Sequence, residues 1–152
     1  MATDDPDIHR TLAILGGPGV FDRPIHNRLE AHDILQEGLP ALVLKHLVNE
    51  VTMLGGTRGE LEKAIGMSLR TFQRRRAAAK ALSREQSSRA WKFAEILGRV
   101  TEILGSRAEA EAWLQRPAMA LDQRRPIDLL STQAGVEAVE DHLTRMEYGV
   151  FA

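Results

Sequence analysis

The chain has 152 residues, of which 43% are hydrophobic and 27% charged, with a net charge of −1 at pH 7. This balance is typical of a globular protein with one core, or one core and a small appendage. The absence of cysteine excludes disulfides and thiolate metal sites, and no apolar run reaches the roughly 18–20 residues that a membrane span needs. The first five residues are acidic rather than basic, unlike a signal peptide, so we expect a cytoplasmic protein.

Residues 1–30 are weakly periodic and predict a partly ordered N-terminal arm. Apolar residues between Ile8 and Leu15 allow a short helix that packs on the core or on a partner. The Gly-Gly-Pro-Gly run at 16–19 ends any such helix. It is not a phosphate-binding loop, because no Gly-Lys-Ser/Thr follows.

Residues 31–82 predict a helix-turn-helix region. A short helix is expected at 32–36 and a longer one at 39–54, where apolar residues form a single stripe. Thr57 and Glu60 have the spacing of a capping box, which predicts a third helix ending at Ile65. Gly66 then provides a turn and Ser68 caps the next helix, so the order is helix, glycine turn, helix.

The second helix of such a pair enters the major groove of DNA, where its early residues meet base edges. Met67 and Phe72 are expected to point inward, and Leu69, Arg70, Gln73 and Arg74 outward. Arginine can bind guanine and glutamine adenine through two hydrogen bonds, while further arginines suit phosphates. The candidate DNA-binding residues are Ser68, Leu69, Arg70, Thr71, Gln73, Arg74, Arg75 and Arg76.

Charge supports a polyanion partner for this region. Eleven Lys and Arg but only four Glu lie between residues 58 and 99, while the rest of the chain is acidic. One residue does not fit the helix-turn-helix prediction. Glu62 occupies the position, at the contact between the two helices, where helix-turn-helix proteins usually have Ala. Either the helices cross further apart or Glu62 turns outward. The alternative is a helical pair with only a structural role.

Residues 83–152 predict a second helical region. Ser83 and Gln86 form a capping box for a long helix at 84–104, which Gly105 ends. Its apolar arc is wide, which indicates burial on more than one side and offers a surface for a homodimer. Ser106 begins the helix that carries Trp113. No strand pattern occurs anywhere, so the predicted fold is all-α.

The last forty residues carry the most distinctive pattern. Pro117 and Pro126 bracket a segment that cannot be helical throughout, and Pro126 suits the first turn of a short helix. Apolar residues at helical spacing then lead towards the C-terminus. The final residues, Glu-Tyr-Gly-Val-Phe-Ala, are unusually apolar for a chain end. Burying Val150 and Phe151 would stabilise a complex by roughly 1.5–3 kcal/mol each.

This pattern closely resembles the toxin-binding domain of Xre/MbcA/ParS-type antitoxins, the partners of RES-domain toxins. The resemblance extends upstream to about Gly38. It is carried by Trp113, Leu114, Pro117, Leu121, Arg125, Pro126, Leu129, Leu130, Thr132, Gly135 and residues 147–152. Two positions depart from the family, which usually has Asn after the proline and Gly after the leucine, where this chain has Ala118 and Asp122.

The resemblance implies an all-α antitoxin of a type II toxin–antitoxin pair: a Cro/Xre-like helix-turn-helix followed by a small helical toxin-binding domain. Such a protein occludes the NAD pocket of a RES-type toxin, represses its own operon by binding operator DNA and forms a homodimer. An apolar tail with a free carboxylate can fill a concave pocket made for a dinucleotide. The candidate toxin-binding residues are Trp113, Pro117, Leu121, Arg125, Pro126, Tyr148, Gly149, Val150, Phe151 and Ala152.

Two alternatives remain open. The chain could be a stand-alone transcription regulator whose C-terminal region only dimerises. It could also be an enzyme that uses Glu140 and His142, but no cluster of catalytic residues supports this, so we expect no enzymatic activity and no cofactor. The five histidines share no metal-ligand spacing. The methionines Met53, Met67, Met119 and Met146 are interpreted as core fillers.

Overall fold

The structure, a computed structural model, describes residues 4–75 and 81–149. These residues form eight α-helices and no strand, which confirms the all-α prediction. One isolated antiparallel bridge joins Ala118 to Arg124. The helices are α1 (Pro6–Leu15), α2 (Arg28–Glu37), α3 (Leu42–Glu50), α4 (Glu60–Ile65), α5 (Leu69–Arg75), α6 (Arg84–Leu104), α7 (Arg107–Leu114) and α8 (Gln133–Glu147). Short 3-10 helices lie at Gly17–Gly19, Thr52–Gly55, Met119–Leu121 and Pro126–Leu129.

The long helix α6 forms the centre of the molecule. It packs against α1, α2, α4, α7 and α8, and its residues Phe93, Ile96 and Leu97 are completely buried. The wide apolar arc of this helix is therefore covered by the chain's own helices, as expected for burial on several sides. The expectation that the same arc offers a dimer surface is wrong, because the residues that would form it are inside the core.

The N-terminal helix α1 belongs to this core. Asp5 caps it by accepting a hydrogen bond from the Asp7 amide at 2.9 Å. Ile8 and Leu15 are buried in the core, and α1 packs on α6 more extensively than any other helix does. The apolar residues of this segment thus form the predicted short helix. It was expected to pack either on the core or on a partner, and it packs on the core.

The middle helices differ from their predicted bounds. α2 begins at Arg28 instead of residue 32, because Asn27 caps it through a hydrogen bond to the Glu30 amide at 3.0 Å. The predicted helix 39–54 is shorter: α3 ends at Glu50, Val51 is extended, and a 3-10 turn follows. The buried carboxylate of Glu111 on α7 accepts a hydrogen bond from the Met53 amide at 2.8 Å, which stabilises this break from the other half of the chain.

Capping was predicted correctly at three helices and wrongly at one. Ser83 and Gln86 form both hydrogen bonds of the capping box on α6, and Ser106 caps α7. Ser68 accepts a hydrogen bond from the Thr71 amide at 3.1 Å at the start of α5. At α4 no side chain caps the helix: Gly59 precedes it in a left-handed conformation, and the Glu60 side chain is buried instead.

Candidate functional site

The first candidate surface is built on the pair α4 and α5, joined by a turn at residues 66–68. Gly66 has φ +85°, a left-handed conformation that favours glycine, and a Cβ atom there would lie 2.4 Å from Nη1 of Arg89, so the Arg89 side chain would have to move. Arg89 reaches over from α6 and donates a hydrogen bond to the Lys63 carbonyl at 2.6 Å. That contact satisfies the C-terminal end of α4 and holds the turn against the core.

The exposed face of α5 is polar and basic. Arg70, Thr71, Gln73, Arg74 and Arg75 are all exposed. Within residues 4–75 and 81–149, none of these arginines forms an ion pair with a carboxylate. The guanidinium groups are therefore available to a polyanion.

The inward side of α5 matches its prediction with one exception. Met67 is buried and Phe72 packs partly against the core. Leu69, predicted to point outward, is instead half-buried and also packs on the core. Ser68 is a helix cap that also contacts Thr71. Arg76, the last candidate DNA-binding residue, lies outside the described residues.

Two arrangements were expected around Glu62: helices that cross further apart, or a Glu62 side chain that turns outward. Its side chain is exposed, while Leu61, Ala64 and Ile65 face the core. The acidic residue therefore turns outward, and the buried side of α4 consists of Glu60 together with Leu61, Ala64 and Ile65.

The second candidate surface lies between α7 and α8. Trp113, Leu121 and Pro126 are buried, and the Trp113 indole stacks on the His142 ring with centroids 5.9 Å apart. Burial and the nearby charge of Arg145 lower the pKa of His142 below its ordinary value. These residues support the domain from inside, while Pro117 is exposed at its surface.

Arg125 has a charged partner that the sequence analysis missed. Its guanidinium donates two hydrogen bonds of 3.0 Å to the carboxylate of Asp128, and Lys63 of α4 lies 2.6 Å from the same carboxylate. The hydrogen bond from Arg125 holds the pKa of Asp128 below its ordinary value, with burial opposing and Lys63 adding to the effect. The spacing of three between residues 125 and 128 could have predicted the Arg125–Asp128 pair. Nothing in the sequence predicted the contribution of Lys63.

Among the described residues of this region, the large apolar side chains that are exposed belong to Met119 and Tyr148, whose exposed fractions are 81% and 79%. The interpretation of Met119 as a core filler is wrong: it lies in the Met119–Leu121 turn, and Leu121 fills the core there instead. Tyr148 follows the last residue of α8, and Gly149 after it has φ +69°. Val150, Phe151 and Ala152 lie outside the described residues.

Glu140 and His142 contact different partners. The Glu140 carboxylate accepts a hydrogen bond from Lys92 of α6 at 3.0 Å, whereas His142 packs on Trp113. Burial alone would lower the pKa of Lys92, but Glu95 and Glu140 raise it above its ordinary value. Both groups thus have structural contacts that join α8 to its neighbours.

Metal ligands and membrane spans were also sought within the described residues. No group of three His, Asp or Glu side chains there is placed to hold a metal ion. In the same part of the chain, no helix is long and apolar enough to cross a membrane.

Two family models match the chain. Residues 99–149 match the antitoxin Xre/MbcA/ParS C-terminal toxin-binding domain, and residues 30–95 match the antitoxin Xre-like helix-turn-helix domain. The boundary between the two matches falls within α6, the helix that both regions share.

Curated relatives agree with these matches. A protein named antitoxin Xre from Photorhabdus laumondii is 25% identical over 118 residues, which cover 77% of this chain and 78% of the relative. Another antitoxin Xre, from Yersinia enterocolitica, is 30% identical over 96 residues, covering 62% of this chain and 65% of the relative. A Prs ADP-ribosylating antitoxin from a Sphingobium species is 26% identical over 128 residues, covering 78% and 79%.

Proposed function

Because this chain belongs to the Xre/MbcA/ParS family of type II antitoxins, we propose that its toxin is a RES-type enzyme that degrades NAD. The antitoxin occludes the active site of that enzyme and represses its own operon by binding operator DNA. Residues 31–82 bind DNA, residues 83–152 bind the toxin, and the protein acts in the cytoplasm without catalytic activity or a cofactor of its own. The name of the Sphingobium relative includes ADP-ribosylation, a reaction that uses NAD, which supports an NAD-using toxin here.

The observation that carries the toxin half of the proposal is the exposure of the Tyr148 side chain to solvent. Most of the apolar side chains of the C-terminal region are buried, yet this aromatic ring is 79% exposed at the end of α8. Tyrosine suits protein interfaces, since it combines a large apolar ring with a hydroxyl group. The tail that follows begins with an exposed glycine in a left-handed conformation, which lets the chain turn away from the helix axis.

The toxin half is tested by co-expression with the product of the gene beside this one, which the proposal expects to be a RES-domain toxin. The full chain should protect cell growth and keep cellular NAD at its normal level. Removal of residues 148–152 should abolish protection while operator binding in a gel-shift assay stays unchanged. If the truncated chain protects as well as the full chain, the tail has no role in neutralisation, and the alternative of a dimerising regulator gains support.

The DNA half rests on the exposed arginines of α5, which have no carboxylate partner in the part of the chain that the structure describes. Replacing Arg70 and Arg74 together by Ala should weaken operator binding by about tenfold or more, because a bidentate base contact contributes roughly 1–3 kcal/mol. Replacing Arg116 and Arg145 by Ala removes the same charge from exposed sites outside the helix-turn-helix and should change binding little. Equal weakening by both pairs would show that only net charge matters and would contradict base recognition by α5.

We further propose that the antitoxin is a homodimer, because palindromic operators match two-fold proteins. Since the apolar arc of α6 is buried in the monomer, the dimer contact uses another surface. Light scattering after size-exclusion chromatography measures the mass directly, and a mass of one chain at micromolar concentration would contradict this proposal.

A further inference from the structure

Two consecutive residues in the loop 117–125 have an unfavourable backbone conformation. Asp122 and Gln123 are consecutive residues with φ +57° and +61°, inside the left-handed region. For a residue with a side chain this conformation is less stable than the right-handed one, whereas glycine adopts it freely. Aspartate tolerates it better than most residues, but glutamine gains no such benefit.

Within the described residues, no contact of the Asp122 or Gln123 side chain offsets this unfavourable backbone conformation. Both residues are exposed, and neither side chain forms a hydrogen bond in that part of the molecule. The Asp122 carboxylate, 86% exposed, lies 3.5 Å from a guanidinium nitrogen of Arg124. An exposed pair of this kind contributes about 0–1 kcal/mol, which does not offset two strained residues.

The loop that carries them is nevertheless well held. The Ala118 amide donates a hydrogen bond to the Arg124 carbonyl at 3.0 Å, and the Gln123 amide donates one to the Ala118 carbonyl at 2.9 Å. Leu121 is buried beneath the loop. A loop fixed in this way loses little conformational entropy when a partner binds.

The same loop presents an apolar side chain to solvent. Met119 is 81% exposed, although the adjacent Ala118 and Leu121 pack on the core. Methionine is flexible and polarizable, and it suits contact surfaces that adapt to a partner. An apolar group, a carboxylate and an amide are therefore displayed together, within a region that matches a toxin-binding domain.

We propose that Met119, Asp122 and Gln123 are specificity-determining contacts for the toxin. Met119 enters an apolar depression on the toxin, and Asp122 pairs with a basic side chain beside it. Strained backbone at an exposed loop is a feature of binding sites, where it is retained because the side chains serve the partner. This inference rests on the proposed function, because it requires that the C-terminal region bind a toxin.

The decisive variants are Asp122→Gly and Gln123→Gly, singly and together. Each removes a side chain and relaxes the backbone, so the urea midpoint of unfolding should rise. If the side chains contact the toxin, the dissociation constant for the RES-domain toxin that the proposed function expects should increase by about tenfold in the double variant. Calorimetric titration measures that constant. Higher stability with unchanged toxin affinity would overturn the proposal.

Met119→Ala and a matched control complete the test. Met119→Ala should weaken toxin binding about fivefold, which is close to 1 kcal/mol, without changing the unfolding midpoint. Leu29 on α2 is exposed to a similar extent, 78%, and lies outside the toxin-binding region, so Leu29→Ala should leave the affinity unchanged. Equal effects of the two variants, or no effect of Met119→Ala, would overturn the proposal. If the unaltered chain itself fails to bind the toxin, the proposed function fails and this inference falls with it.

Discussion

At the scale of single residues, Gly135 shows how one close contact decides which residue a position accepts. It lies in the first turn of α8, where its amide donates a hydrogen bond to the Thr132 hydroxyl at 3.0 Å. A Cβ atom on it would lie 2.0 Å from the Leu129 carbonyl oxygen. The turn before α8 therefore packs directly on the helix backbone.

Gly135→Ala should lower the free energy of unfolding by about 1–3 kcal/mol, because the backbone of α8 or of Leu129 must move. Gly19→Ala is the matched control: a Cβ atom there meets nothing within 4 Å, so the change should stay within about 0.5 kcal/mol. Urea denaturation followed by circular dichroism measures both variants. A Gly135→Ala protein as stable as the control would show that α8 shifts without cost.

Individual residues also show where sequence reasoning stops. The helical spacing of Val136, Val139, Leu143 and Met146 predicted a helix, which α8 confirms, and all four side chains are buried. Met119 was predicted wrongly because it lies in a tight turn, where no period links a residue to a face. The left-handed backbone of Gln123 in the same loop could not be predicted either, because glutamine is not a residue that favours that conformation.

At the scale of elements, the two capping-box sequences give opposite results. Ser83 and Gln86 exchange hydrogen bonds with each other's amides at 3.0 and 3.2 Å. At Thr57 the same spacing fails, since Gly59 takes a left-handed conformation and Glu60 turns into the core, where 2% of it is exposed. The local pattern predicts a cap only where tertiary packing does not draw the acidic side chain inward.

Ser83→Ala should therefore lower the free energy of unfolding by about 0.5–2 kcal/mol, the usual range for the loss of an N-cap. Ser88 lies on the same helix but is exposed in its interior, so Ser88→Ala should be neutral or slightly stabilising. Thermal unfolding of the two variants measures the difference. Equal effects would mean that the capping box contributes nothing to α6.

At the scale of the whole molecule, α6 joins the two regions that match separate family models. It packs on α4 of the helix-turn-helix and on α7 and α8 of the toxin-binding domain. The sequence predicted this helix with its correct bounds, 84–104, from its cap, its apolar stripe and its final glycine. It did not predict which helices cover α6, because periodicity identifies an apolar face and not its partner.

Sharing one central helix should make the chain unfold as a single unit. Tryptophan fluorescence reports on Trp91 and Trp113, in α6 and α7, whereas circular dichroism reports on every helix, including those of the helix-turn-helix region. The two signals should give the same urea midpoint, as two-state unfolding requires. A separate early transition in circular dichroism alone would show that the helix-turn-helix region melts independently.

The carboxylate of Asp128, held by Arg125 and Lys63 together, has a consequence for the exchange of domains between relatives. One of its cations comes from the half that matches a helix-turn-helix domain and the other from the half that matches a toxin-binding domain. A chimaera that combines this C-terminal half with a relative's N-terminal half needs a cation at the position of Lys63. Where the relative has an acidic residue at that position, two negative charges would face each other across the junction. The chimaera would then be less stable, even if each half were intact.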